Sequence, residues 1–157
     1  MKSNPVLLIA AALAVSLSSC AREEAAAPAE GAEPAIAAHP VEVVSKSPEE
    51  RMASGKKLYN AHCAACHQAN GQGLTGAFPP LAQSTYLADG PGAAISAILN
   101  GLSGPISVNG TEYNAVMPNL SYLNDDEVAE IVAFVMNSWG NPGGEVSPAE
   151  VAAARGD

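Results

Sequence analysis

Cys63-Ala64-Ala65-Cys66-His67 sets two thiols three residues apart and an imidazole directly after the second. On a helical turn, residues at that spacing share a face, and the next residue presents its ring from the same side. This is the spacing of covalent haem attachment, in which each thiol forms a thioether with a vinyl group and the imidazole reaches the iron. Two other chemistries use part of the pattern. A redox dithiol belongs beside a βαβ unit, and no βαβ pattern runs through this chain. A zinc site needs about four nitrogen or sulfur ligands. The other two histidines complete it poorly: His62 is locked beside Cys63, and His39 lies in a stretch of Ala, Glu and Pro.

Attachment fixes one side of a metal and leaves the other to be filled. Of the four methionines, Met1 belongs to the start of an export signal, while Met52 and Met136 fall in helical patterns where methionine fills core. Met117 falls in a polar loop 50 residues after His67 and is followed by Pro118, which stiffens the chain. Met117 is therefore the expected second iron ligand, with His67 the first. A Met/His pair raises the reduction potential relative to His/His and leaves no open position on the iron. Such a centre passes electrons without transforming a bound molecule. With a displaceable Met117 it would instead be a haem enzyme or gas sensor; held permanently in a larger oxidoreductase, it would be an electron-transfer subunit.

The elements that position these residues are legible from caps and periodicity. Ser47-Pro48-Glu49-Glu50 is a helix start, with Ser as cap, Pro at the first position and Glu three residues after the cap. That helix is predicted to run to about Asn60. Gly90–Asn100 reads as a helix opened by Pro91 and stopped by Gly101, with Ile95, Ile98 and Leu99 expected to wall the haem pocket. Asn109-Gly110 between Ile106-Ser107-Val108 and Thr111-Glu112-Tyr113 signals a two-residue hairpin. Asn124 and Glu127 form a capping box for the strongest helix, Asp125 to about Ser138. Its apolar stripe is Val128, Ile131, Val132, Val135 and Trp139. Ser147-Pro148-Ala149-Glu150 repeats the cap signal before a short tail helix, and Gly71 to Pro80 reads as a loop. Four Tyr, two Phe and one Trp are few for a small core, and a porphyrin would supply flat apolar volume.

Together these residues resemble a class I bacterial c-type cytochrome over about residues 48–141. The attachment motif is followed by Phe78-Pro79-Pro80-Leu81, then by Tyr113-Asn114-Ala115-Val116-Met117-Pro118, then by a helix closing in Asn137-Ser138-Trp139-Gly140-Asn141. The likeness is to small cytochromes or cytochrome domains serving periplasmic dehydrogenases and reductases, and extends to the tail around Val146–Val151. It implies an all-α cytochrome c fold, a small helical domain wrapped around one covalently attached haem c, with a short β-hairpin. It further implies that the Pro79 carbonyl, or else that of Pro80, accepts the free ring N–H of His67. Tyr113 or Asn114 would hydrogen-bond the Met117 sulfur or simply close the hairpin. Gly55 and Tyr59 would meet Phe134, and Trp139 would lie in the core or near a propionate.

The N-terminus reads as an address. Lys2 precedes an apolar run from Val6 to Leu17, too short for the about 20 residues that cross a bilayer, which is the pattern of a secretory signal. Leu17-Ser18-Ser19-Cys20 resembles a bacterial lipobox, so Cys20 is the expected acylated first residue of the mature chain. The expected organisation is a lipoprotein signal at 1–19, a lipidated N-terminus and disordered linker at 20–47, the cytochrome c domain at 48–141 and a tail at 142–157. This places the protein on the periplasmic side of a bacterial membrane, anchored in the lipid bilayer through Cys20; Arg22 hints at the outer membrane. Seven basic against sixteen acidic residues give a net charge of −9. That charge argues against nucleic acid as a partner and favours redox proteins with basic docking faces.

Overall fold

A computed structural model describes residues 46–156. The expected export signal at 1–19, the expected acylation site Cys20, and His39 with all but the last two residues of the expected linker at 20–47 lie outside the described residues. Helix α1, Pro48–His62, starts from the expected capping box: Glu50 N–H donates to the Ser47 hydroxyl, and the Glu50 carboxylate accepts from Ser47 N–H. It runs two residues past the expected Asn60, because Cys63 N–H still donates to the Tyr59 carbonyl at 2.8 Å. Cys63 then hinges directly into the four-residue α2, Ala64–His67. A 3-10 turn at Thr85–Leu87, capped by Ser84, had no sequence signal, since three residues carry no readable periodicity.

Helix α3, Gly92–Asn100, ends at Gly101 as expected, and Pro91 caps it. Strands β1, Ile106–Val108, and β2, Thr111–Tyr113, pair antiparallel around Asn109-Gly110, with Ile106 opposite Tyr113 and Val108 opposite Thr111. Helix α4, Asp125–Met136, carries the second capping box, Asn124 with Glu127. It stops two residues short of Ser138. The Asn137 side-chain amide donates to the Ala133 and Gly144 carbonyls, and Trp139 takes a left-handed φ of 51°, which turns the chain away. Helix α5, Pro148–Arg155, carries the third box, Ser147 with Glu150. Among the described residues the fold is thus helical with one small two-stranded sheet. No helix among the described residues is long and apolar enough to cross a membrane.

The core forms where α1 crosses α4. A Cβ on Gly55 would lie 2.1 Å from the Glu130 carbonyl oxygen, so only glycine lets the two backbones come this close. Tyr59 and Phe134 meet at that crossing with ring centroids 5.5 Å apart, and Trp139 closes the cluster at 5.1 Å from Tyr59 and 5.3 Å from Phe134. Val128, Val132 and Met136 are fully buried, so Met136 is core, as its helical position suggested. The α5 segment packs onto the same body. Val146 and Val151 are buried, Arg155 Nε donates to Asp125 at 2.6 Å, and its other nitrogens reach the Ser121 and Leu123 carbonyls. Glu130, buried in the α1–α4 seam, accepts from Lys46 at 2.6 Å and from Ser54 at 2.5 Å, so the buried carboxylate is paired.

Candidate haem site

Between α2, α3, α4, the hairpin and two loops lies an open cleft of about 1190 Å³, counting the part continuous with solvent. Its lining is overwhelmingly apolar and contains no Asp, Glu, Lys or Arg. Cys63, Cys66, His67, Pro79 and Met117 all line it. Five residues that span more than fifty positions of sequence are therefore gathered around one space.

The cysteine side is built by local structure. Cys63 ends α1 and begins α2, so Cys66 and His67 follow within a single turn; both backbone N–H groups donate to the Cys63 carbonyl, at 3.2 and 2.9 Å. Burial pushes the Cys63 thiol up to about 11, with the neighbouring Cys66 adding to the effect. The Tyr59 hydroxyl reaches past α2 to donate to the Gln68 carbonyl at 2.6 Å, tying the motif to the aromatic cluster.

His67 Nδ1 lies 2.9 Å from the Pro79 carbonyl oxygen. A carbonyl only accepts, so Nδ1 carries the proton and Nε2 keeps its lone pair. Burial lowers the His67 pKa from its ordinary value, with the Pro79 contact acting in the opposite sense, so the ring stays neutral near pH 7. The Pro79 carbonyl is set in place by Gly73. At φ 62°, a Cβ there would lie 2.3 Å from the Phe78 oxygen and 2.6 Å from the Pro79 oxygen. Gly73 N–H donates to the His67 carbonyl, and Leu74 and Phe78 exchange two 2.8 Å hydrogen bonds, so the segment read as a loop is cross-tied. From the sequence this stretch reads as a loop, and only its glycines signal the close backbone approach.

Met117 arrives by a different route. It pairs with Leu102 through two backbone hydrogen bonds of 3.0 and 2.9 Å, and Leu120 N–H donates to the Ile98 carbonyl at 2.7 Å. Gly101, at φ 75°, makes this possible, because a Cβ there would lie 2.6 Å from the Met117 carbonyl oxygen. Tyr113 is buried and lines the cleft, while Asn114 faces solvent. On α3 the expected wall is corrected. Ile98 lines the cleft together with Ala94 and Ala97, but Ile95 and Leu99 are buried outside its lining. The residues at 94, 97 and 98 share one helical stripe, and the neighbouring stripe at 95 and 99 belongs to the core. Trp139 likewise belongs to the aromatic cluster and not to the lining.

Several positioning residues went unread in the sequence. Asn141 donates through its amide to the Leu81 and Val135 carbonyls, both at 2.8 Å, and accepts from Ser84 N–H at 3.2 Å. It thereby locks a cleft-wall segment to the end of α4. Thr85 and Asn109 exchange side-chain-to-backbone hydrogen bonds of 2.9 and 2.8 Å, docking the hairpin. His62 lines the cleft and lies with Nδ1 3.4 Å from the Tyr122 hydroxyl.

The donor set suits a haem. Two thiols and an imidazole occupy one short segment, a thioether lines the same cleft from a distant loop, and the space between carries apolar carbon and no charge.

Comparison with protein families matches cytochrome c over residues 52–139. Cytochrome c-552 of Thermus thermophilus is 45% identical over 93 residues, covering 57% of this chain and 70% of that protein. The cytochrome c subunit of the quinone alcohol dehydrogenase of Gluconobacter oxydans (strain 621H) is 31% identical over 102 residues, 62% of this chain and 21% of the subunit. The cbb3-type cytochrome c oxidase subunit CcoP of Azospirillum brasilense is 32% identical over 114 residues, 66% of this chain and 37% of that subunit.

Proposed function

The chain belongs to the cytochrome c family, whose members hold haem c covalently and carry electrons, and from that premise we propose that it is a membrane-tethered monohaem carrier of single electrons between periplasmic oxidoreductases. The observation that carries this reading is the placement of Cys63, Cys66 and His67 on one side of the apolar cleft that Met117 also lines. When bound, haem supplies an iron whose ferric and ferrous states differ by one electron.

The chain's own residues do the rest. Cys63 and Cys66 are the thioether-forming thiols. His67 offers the Nε2 lone pair, and the Pro79 carbonyl fixes which nitrogen carries the proton and how the ring is turned. Met117 would offer a thioether sulfur as the other ligand, and its backbone pairing with Leu102 holds it in the cleft lining. Were His67 and Met117 both to ligate the iron, no site would remain there for substrate, which favours carriage over catalysis. With a haem filling the cleft, the apolar lining would limit the access of water to the iron.

Two of the relatives are by name subunits of larger oxidoreductases, which supports a second reading: the same domain as a bound electron-transfer subunit. Stable co-purification with a membrane oxidoreductase distinguishes this from free carriage. The tether is assigned to an acylated Cys20, and Cys20→Ser releases the protein into the soluble extract with its haem retained. The central test is a redox titration of the purified holoprotein followed optically. Met117→His is expected to lower the midpoint potential while the haem stays attached, and the reduced wild-type spectrum is expected to ignore carbon monoxide. An unchanged midpoint in Met117→His, or a strong response to carbon monoxide in the wild type, refutes the ligand assignment.

A further inference from the structure

Met117 begins a segment that runs from the cleft to the cap of α4 at Asn124. The backbone of Met117 pairs with Leu102, and Leu120, which lines the cleft, donates its N–H to the Ile98 carbonyl at 2.7 Å. Beyond Leu120 the chain bonds to itself. The Ser121 hydroxyl donates to the Asn119 side chain at 2.9 Å, and Leu123 N–H donates to the Leu120 carbonyl at 3.0 Å. Exposed Tyr122 reaches only His62, at 3.4 Å. Local bonds of this kind shape a turn without fixing it to the body of the protein.

The fixing comes from the far end of the chain. Helix α5 is anchored by fully buried Val151, and Arg155 stands one turn later on the same face. Its Nη1 donates to the Ser121 carbonyl at 3.0 Å, its Nη2 donates to the Leu123 carbonyl, and its Nε donates to the Asp125 carboxylate at 2.6 Å. One planar guanidinium therefore joins the turn after Met117 to the first residue of α4, a span for which the single ammonium of a lysine has no fork. Helix α5 lies beyond residues 52–139, the stretch that matches the family, so this clasp is an addition to the matched domain.

We propose that Arg155 is a positioning residue for Met117. It does not line the cleft and acts only through the chain that it holds. With the Ser121 and Leu123 carbonyls clasped, Leu120 stays against the cleft and the Met117 loop keeps a fixed exit; with the clasp gone, the loop swings more freely and its sulfur leaves more often. The proposal rests on the reading of Met117 as an iron ligand.

The test is an optical titration of the ferric holoprotein with imidazole, a small ligand that competes with the Met117 sulfur. Apparent affinity rises with the fraction of molecules whose site is vacant, so Arg155→Ala is expected to bind imidazole about tenfold more tightly than the wild type. Arg155→Lys, which keeps the stem and the charge beside Asp125 but cannot span both carbonyls, is expected to shift affinity about threefold in the same direction, and it answers the question should Arg155→Ala not fold. Met136→Ala removes a fully buried side chain outside the cleft lining and so lowers stability without touching the clasp; where it is fully folded, its affinity is expected to stay within about twofold of the wild type. Wild-type affinity in folded Arg155→Ala, or in Arg155→Lys if that is the variant that folds, overturns the proposal. An equal gain in Met136→Ala also overturns it, because general loosening would then be the cause. Failure of the ligand reading looks different: Met117→Ala would then bind imidazole no better than the wild type, whereas failure of the clasp alone leaves Met117→Ala binding tightly and Arg155→Ala unchanged.

Discussion

On the His67 side of the cleft, attachment residues, ring orientation and core are one continuous construction: α1 runs into α2, Tyr59 ties down Gln68, and the Pro79 carbonyl meets Nδ1. On the Met117 side, a partly exposed loop hangs from a backbone pairing with Leu102 and one hydrogen bond to Ile98, next to a valine that is 72% accessible. The first side is held by side chains locked into buried aromatic packing; the second is held by main chain at an edge. Stability follows density of contact, so the Met117 side is expected to open locally while the His67 side opens only with the whole domain.

The sharpest way to break the comparison is to remove what both sides stand on. Gly55→Val drives a side chain into the Glu130 carbonyl and the Phe134 Cβ, and is expected to cost more than about 3 kcal/mol of stability in denaturant unfolding of the holoprotein. Both sides should then fail together. A smaller loss falls on the His67 side alone. Gly73→Ala meets three backbone atoms between 2.3 and 2.7 Å at a left-handed φ, and is expected to cost about 2–3 kcal/mol in the same measurement.

Gly101→Ala sharpens the contrast. Its tightest contact, the Met117 oxygen at 2.6 Å, belongs to the loosely held loop, which can shift; global stability is expected to fall by only about 1–2 kcal/mol. Its distinctive result is chemical: the reduced protein should begin to bind carbon monoxide, whereas Gly73→Ala at equal folded fraction should not. The same response from both variants would erase the distinction between the two sides.

The smallest effect is one of pH, and it lies away from the cleft. Hydrogen bonds from the Ser47 and Ser147 backbone N–H groups, and then their hydroxyls, hold the exposed Glu50 and Glu150 carboxyls below their ordinary value of 4.5. A carboxyl depressed in the folded state stabilises fully above its unfolded pKa and loses that contribution as pH falls through the lower folded value. Thermal unfolding of the Glu50→Gln/Glu150→Gln double variant should therefore depend less steeply on pH below about 4.5 than the wild type. Met117 ligation should be indifferent to the change.

What the amino-acid sequence determined by itself was everything encoded within a few residues. Ser47, Asn124 and Ser147 started their helices because each cap and its partner Glu lie within one turn; Asn109-Gly110 made the hairpin turn. Cys63, Cys66 and His67 are legible for the same reason, being three donors in one turn. Which side of α3 faces the cleft was not legible, since Ile95, Ile98 and Leu99 are equally apolar and only the packing partner decides between adjacent stripes. Nor was the reach of Asn141 to Leu81 and Ser84, or the fit of Gly101 beneath the Met117 carbonyl, because such contacts join residues far apart in the chain and leave no period to read. Net charge was legible in part: the stretch from Leu58 to Asn124, which supplies most of the cleft, carries only Asp89 and Glu112, but that neither of these lines the cleft is decided by the fold.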